Sequence, residues 1–132
     1  MDIALLDTLY DATGPEQVDR LNAGFPVSVF RILAQTVGLP LDGLAQALGL
    51  SPRTLRNRTR RLSADEAERS FRVYRVFRRA SEVLGTDEAA AAWIKTPQRA
   101  LGERAPLQLL VRDVGTEDVL NVLSAVEHGV YL

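Results

Sequence analysis

Arginines carry the first chemistry that can be read from this chain. The stretch 47–62, ALGLSPRTLRNRTRRL, holds five of them, Arg53, Arg56, Arg58, Arg60 and Arg61, and no acid. A guanidinium is a planar, permanently charged fork that takes a phosphate, or the O6/N7 edge of guanine, through two parallel hydrogen bonds. Asn57 adds an amide suited to the N6/N7 edge of adenine, and Thr54 a hydroxyl that serves base or phosphate. The candidate DNA-binding set is therefore Arg53, Thr54, Arg56, Asn57, Arg60 and Arg61. Arg56, Arg60 and Arg61 would hold phosphates, while Arg53, Thr54 and Asn57 would supply sequence preference. The competing reading is a solvated basic face with no partner at all.

The elements that must position these groups have the form of a helix-turn-helix. Leu41, Leu44, Ala45 and Leu48 repeat at helical spacing, Gly49 stops that helix, and Ser51 caps a second one with Pro52 at its first position. Two short helices around a glycine turn make the DNA-reading corner. Continued through Leu62, the second helix would run for about 11 residues, or ~16 Å, enough to cross a major groove. At about 100° per residue, Leu55, Thr59 and Leu62 face the core while Arg53, Asn57 and Arg60 point away. Arg58 falls at the core's edge, where a carboxylate or carbonyl is expected to anchor it. In a dimer, two such helices would enter successive major grooves, about one helical turn apart.

The remaining punctuation is helical too. A first helix is expected from a cap at Asp2 to near Gly14, with Leu5, Leu6, Leu9 and Tyr10 on one side. Thr13 and Glu16 form a capping box for the next, and Pro26 opens another along Val29, Phe30, Leu33 and Val37. Ser63 and Glu66 box the start of a long helix to about Leu84. Its seam of Phe71, Tyr74, Phe77, Ala80 and Leu84 reads as core or dimer contact. Thr86 caps a short helix ended by Pro97, and an apolar run follows Pro106. Thr116, with Glu117 and Asp118 in its first turn, is expected to open a last helix ending near His128. No alternating run argues for a strand. The expected fold is all-α: a helix-turn-helix half, residues 1–64 with 1–14 as an N-terminal extension, joined by the long helix to a small helical half, 65–132.

Composition sets the outer bounds. The 132 residues, 46% hydrophobic and 25% charged, suit one domain or two small ones sharing a core. The net charge of −1 conceals −4 over residues 1–50, +7 over 51–80 and −4 over 81–132. A central basic block says more about partners than the total does. No run approaches the ~20 apolar residues that span a bilayer. The start, MDIALLDTLYD, lacks a signal peptide's basic flank and cleavage site, so a cytoplasmic protein with no membrane partner is expected. Cysteine is absent and His128 is the lone histidine, which leaves no thiolate or histidine-cluster metal site and no Cys–His pair. No Gly-rich phosphate loop is present. No catalytic residue, metal or cofactor is expected, and an enzyme is the least supported class.

Two series resemble a known family. The first is GLSPRTLRNRTRRLSADEAER, residues 49–69. The second is the order Trp93, Pro97, Leu101, Gly102, Ala105, Pro106, Leu107, Leu110, Gly115, Val119, closing on Val126-Glu127-His128-Gly129-Val130-Tyr131. Together they are similar to the Xre/MbcA/ParS antitoxins of toxin–antitoxin systems. That resemblance implies a homodimer that binds operator DNA, represses its own operon and neutralises a partner toxin. The usual toxin is a RES-domain enzyme that consumes NAD or transfers its ADP-ribose part. It further implies that the C-terminal end blocks the toxin's active-site cleft. On this chain the toxin-binding set is Glu127, His128, Gly129, Val130, Tyr131 and Leu132. An apolar ending after a helix-stopping glycine fits an interface anchor, although the residues taken without the resemblance favour Val130 and Leu132 folding back on their own helices. Trp93, Pro97, Leu101, Gly102 and Pro106 read as architectural, the tryptophan filling a small core. Glu103 departs from the family, which often has a second glycine there, and so does Arg112-Asp113, where a threonine–acid pair is usual. Two other functions draw on the same residues: a helix-turn-helix regulator sensing a small ligand, and a protein-only neutraliser without DNA binding.

Overall fold

The computed structural model describes residues 3–129. Helices dominate: α1 (Ala4–Asp11), α2 (Gly14–Ala23), α3 (Val27–Thr36), α4 (Leu41–Ala47), α5 (Pro52–Leu55), α6 (Ala64–Leu84), α7 (Asp87–Ile94), a 3-10 turn (Arg99–Leu101), α8 (Pro106–Leu109) and α9 (Asp113–Glu127). The all-α expectation holds; extended pairing among the described residues is limited to isolated antiparallel bridges, Pro26 with Arg61 and Gln98 with Arg104. None of these helices is long and apolar enough to cross a membrane.

The expected hydroxyl caps form. Thr13, Ser51 and Thr86 accept from the backbone N–H groups of Glu16, Thr54 and Ala89. At the start of α6 the full reciprocal box closes: Ser63 Oγ accepts from Glu66 N at 3.2 Å and Glu66 Oε1 accepts from Ser63 N at 2.8 Å. The box at Thr13 is only half made, because the Glu16 carboxylate turns to Arg20 at 3.2 Å. The expected cap at Asp2 lies outside the described residues.

Two elements depart from expectation. The helix expected over 52–62 is a single turn ending at Leu55. Asn57 Oδ1 accepts from Thr59 N at 3.1 Å and from its hydroxyl at 2.9 Å, offering the backbone a local turn in place of helix. Beyond it the chain is captured from afar: Leu62 N donates to Phe25 O (2.8 Å) and Val27 N to Arg60 O (3.1 Å). This close approach requires Gly24, at φ +71°, since a Cβ there would stand 2.1 Å from the Leu62 carbonyl oxygen. The last helix, in turn, starts at Asp113 and not at Thr116. The Thr116 hydroxyl is buried and donates back to Arg112 O at 3.0 Å, so it works inside the helix. Gly115 beside it is a packing glycine, whose added Cβ would lie 2.1 Å from Leu109 O.

The chain forms two compact units, Met1–Phe71 and Arg72–Leu132, with the division inside α6. In the first, α1 packs on α2, α3 on α4 and α4 on α5. Its core is Leu6, Leu9, Phe30, Leu33, Leu44, Leu48, Leu55 and Leu62, all 3% exposed or less. In the second, α8 packs on α7 and α9, around Val76, Phe77, Ile94, Leu110, Val119 and Leu123. The α6 seam is therefore core at Phe71, Tyr74, Phe77 and Ala80, which are buried, while Leu84 at its end is only half-buried. Trp93 is only half-buried, and its neighbour Ile94 fills the position expected of it.

Candidate functional site

The segment from Ser51 to Arg61 hangs on two buried leucines, Leu55 and Leu62, and leaves most of its polar side chains exposed between them. Because the helix ends at Leu55, helical phase no longer assigns faces beyond it. Thr59, expected inward, is exposed. Arg58 and Arg60 exchange roles. Arg58, expected to be anchored, is exposed and meets no partner among the described residues. Arg60 is the anchored one, with Nη2 donating to Glu66 Oε2 at 3.1 Å and Nη1 lying 3.0 Å from Oε1. Burial works to raise the Glu66 carboxyl, but the Ser63 N–H and the Arg60 guanidinium together outweigh it and hold the group below its ordinary range.

The other candidates divide in the same way. Arg53 is exposed and has no partner among the described residues, beside Thr54, whose hydroxyl donates to Ser51 O at 3.0 Å. Asn57 is exposed, its oxygen engaged in the Thr59 turn. Arg61 donates to Gly24 O at 3.0 Å and so closes the end of α2. Arg56 forms a two-pronged pair with Asp42 of α4: Nε reaches Oδ1 at 3.2 Å, and Nη2 reaches Oδ2. That fork holds the Asp42 carboxyl below its ordinary value and the guanidinium above its own. The Arg56 carbonyl accepts from Arg31 Nη2 at 3.2 Å, which fixes the backbone at the helix end. Arg31 and Asp42 went unnoticed in the sequence pattern. A usable signal existed for Asp42, the sole carboxylate between Arg20 and Asp65.

At the other candidate site, Glu127 ends α9, where Arg79 Nη1 donates to it at 3.2 Å. The arginine's hydrogen bonds, with a smaller contribution from nearby His128, hold the Glu127 carboxyl low against a modest burial effect. His128 is exposed, with Nδ1 2.7 Å from Ser124 O, and Gly129 turns the chain at φ +77°. Val130, Tyr131 and Leu132 lie outside the described residues. In the same unit a surface groove of about 440 Å³ runs between the 100–104 corner and α9, floored by Leu101, Leu109 and Val122 with Arg104 and Asp118 among its polar lining. The corner bends through two successive left-handed residues, Gly102 (φ +67°) and Glu103 (φ +65°). Among the described residues, no cluster of histidine and carboxylate side chains could hold a metal ion.

Comparison with known proteins joins these two ends. Residues 16–75 match the antitoxin Xre-like helix-turn-helix domain, and residues 79–129 match the antitoxin Xre/MbcA/ParS C-terminal toxin-binding domain. Antitoxin Xre of Yersinia enterocolitica is 34% identical over 122 residues, covering 89% of this chain and 82% of the relative. Antitoxin Xre of Photorhabdus laumondii is 29% identical, covering 90% and 83%. Antitoxin Xre of Pseudomonas putida is 31% identical, covering 96% and 80%. With both matched domains in order along one chain, and relatives aligned over most of their own length, the protein belongs to the Xre antitoxins: it is the antitoxin of a toxin–antitoxin system, built from a helix-turn-helix domain and a toxin-binding domain.

Proposed function

We propose that this antitoxin neutralises a RES-domain toxin, one that consumes NAD or transfers its ADP-ribose part, by lodging residues 127–132 in the toxin's active-site cleft. We assign toxin binding to residues 65–132 and operator binding to residues 1–64, acting as a homodimer in the cytoplasm to repress its own operon. The observation that carries the DNA half is the pair of exposed guanidiniums, Arg53 and Arg58, without a partner among the described residues and flanking exposed Thr54 and Asn57. Unneutralised forks next to an amide and a hydroxyl suit phosphates and base edges. Arg56 joins them from its exchangeable pair, while Arg60 and Arg61 act mainly by fixing the backbone that presents the others. The toxin half draws support from the toxin-binding match, which runs up to Gly129. There Glu127, held by Arg79, orients the end of α9 and the exposed His128 follows it.

The test is co-expression with the protein encoded by the adjacent gene. The full chain should rescue growth and co-purify with that protein, whereas a chain lacking Val130–Leu132 should lose protection while still shifting operator DNA. Protection by the shortened chain would reject the cleft plug. A neighbour without NAD-consuming or ADP-ribosylating activity would reject the RES assignment.

A further inference from the structure

Five arginines in the 53–61 segment meet four different fates, and one of those fates is reversible. Arg60 is locked by Glu66, whose side chain is only 14% exposed and is also committed to the Ser63 capping box. Arg61 is spent on helix-end carbonyls, and Arg53 and Arg58 are open. Arg56 alone is paired with a carboxylate at the surface, the two side chains being 59% and 44% exposed. An exposed ion pair adds little to stability. Its geometry is more informative. The carboxylate takes Nε and Nη2 together, the same two-pronged edge that a phosphate takes. The Arg56 main chain is pinned on both sides, its N–H to Pro52 O at 3.1 Å and its carbonyl by Arg31, so the guanidinium can change partners without moving the backbone. Asp42 is also the only carboxylate in residues 20–64, and it sits on an arginine at the centre of the basic segment.

We propose that Asp42 is a built-in competitor for the DNA backbone: in the free protein it occupies the fork of Arg56, and binding exchanges carboxylate for phosphate. The inference rests on the DNA-binding reading above and adds a brake to it. The carboxylate keeps the fork oriented while unbound, and its charge, left behind on binding, cancels part of what Arg56 contributes at the phosphate. Affinity is thereby held below what the arginines alone would give, which leaves the complex reversible.

The experiment is fluorescence anisotropy with the duplex upstream of the gene and an unrelated duplex of equal length, between about 50 and 200 mM salt. Removing one opposing charge per protomer should steepen the salt dependence by about 0.9 in log–log slope for each protomer bound. Asp42→Asn should therefore bind more tightly than the wild type, with the gap closing by about threefold per protomer over that salt range. Asp42→Glu should behave like the wild type, and Asp42→Asn/Arg56→Ala should match Arg56→Ala alone, which ties the gain to that fork. Thermal midpoints of all four should agree closely, excluding a folding effect. If the wild type binds and Asp42→Asn binds equally or less tightly with an unaltered slope, the competitor idea fails while the DNA reading stands. If neither protein binds either duplex at the lowest salt, both fail.

Discussion

Arg53 and Arg58 of the 53–61 segment and Arg72 and Arg79 of the second unit are chemically identical and physically opposite. Arg72, with 12% of its side chain exposed, donates to Val111 O at 3.0 Å and pairs with Asp113 at 2.8 Å, tying the turn after α8 to the start of α9. Arg79 takes Glu127 in the same unit. Arg53 and Arg58 take nothing among the described residues. The difference lies in the local supply of acceptors: residues 43–64 contain no carboxylate, whereas residues 81–132 carry eight. A guanidinium with acids and helix-end carbonyls in reach becomes part of the frame, and one denied them keeps its fork for another molecule. Arg75, exposed on α6, shows that the second unit has surface arginines as well.

Substituting the arginines tests that contrast, beginning with the deepest. Arg72→Ala removes a nearly buried guanidinium with its packed stem, its carbonyl hydrogen bond and its link to the exposed Asp113 at once, and should cost roughly 3 kcal/mol. The thermal midpoint should fall by roughly 10 °C, measured by circular dichroism. A loss of only a degree or two would mean that Arg72 is not framework.

Arg60→Ala should cost less, about 1–2 kcal/mol, because its side chain is more exposed than that of Arg72 and Glu66 keeps the Ser63 N–H. This loss carries a pH signature. The Glu66 carboxyl is held low when folded, so its contribution is complete above the unfolded carboxyl's range and disappears as pH falls through the folded value. Removing Arg60 relaxes that shift. Urea midpoints of wild type and variant should therefore differ at about pH 7 and converge towards about pH 3. A gap that persists in acid would assign the loss to packing of the arginine stem.

Glu103→Gly removes an acid that holds no arginine among the described residues, so any effect belongs to the backbone. At φ +65° a side chain is strained by about 1 kcal/mol, and glycine relieves this while adding freedom to the unfolded chain. The expected gain is at most about 1 kcal/mol in urea denaturation. A loss would show that the Glu103 side chain makes a contact of its own.

Legibility followed the range of the forces. Caps are local, and Thr13, Ser51, Ser63 and Thr86 were readable because a hydroxyl needs only its own next three residues. The apolar stripes of α3, α4 and α6 were readable for the same reason. The helix over 52–62 was not, because its continuation loses to pairing with Phe25 and Val27, more than thirty positions back. A wheel continued past Leu55 sets Arg58 at the core's edge and Arg60 outside, the reverse of what forms. At α9 a threonine three residues inside the helix imitated a cap. The site's residue types were legible, then, while the partner that each one meets was decided by contacts distant in sequence.

The smallest effect on stability sharpens the contrast most. Arg53→Ala and Arg58→Ala remove no hydrogen bond or ion pair among the described residues, so each should shift stability by no more than about 0.5 kcal/mol. If they are the open DNA contacts, the double variant should lose roughly two units of log–log salt slope per protomer, insofar as both meet phosphate. Loss of discrimination between operator and unrelated duplex would instead assign one of them to a base edge, at about 1–3 kcal/mol. Slope and discrimination thus separate the two roles, with thermal stability as the internal control. Arg58 is the more telling of the pair, because a continuous helix would have anchored it at the core's edge. Finding that Arg58→Ala unfolds the protein would restore the long helix, and finding that it weakens DNA binding at constant midpoint would support the one-turn geometry.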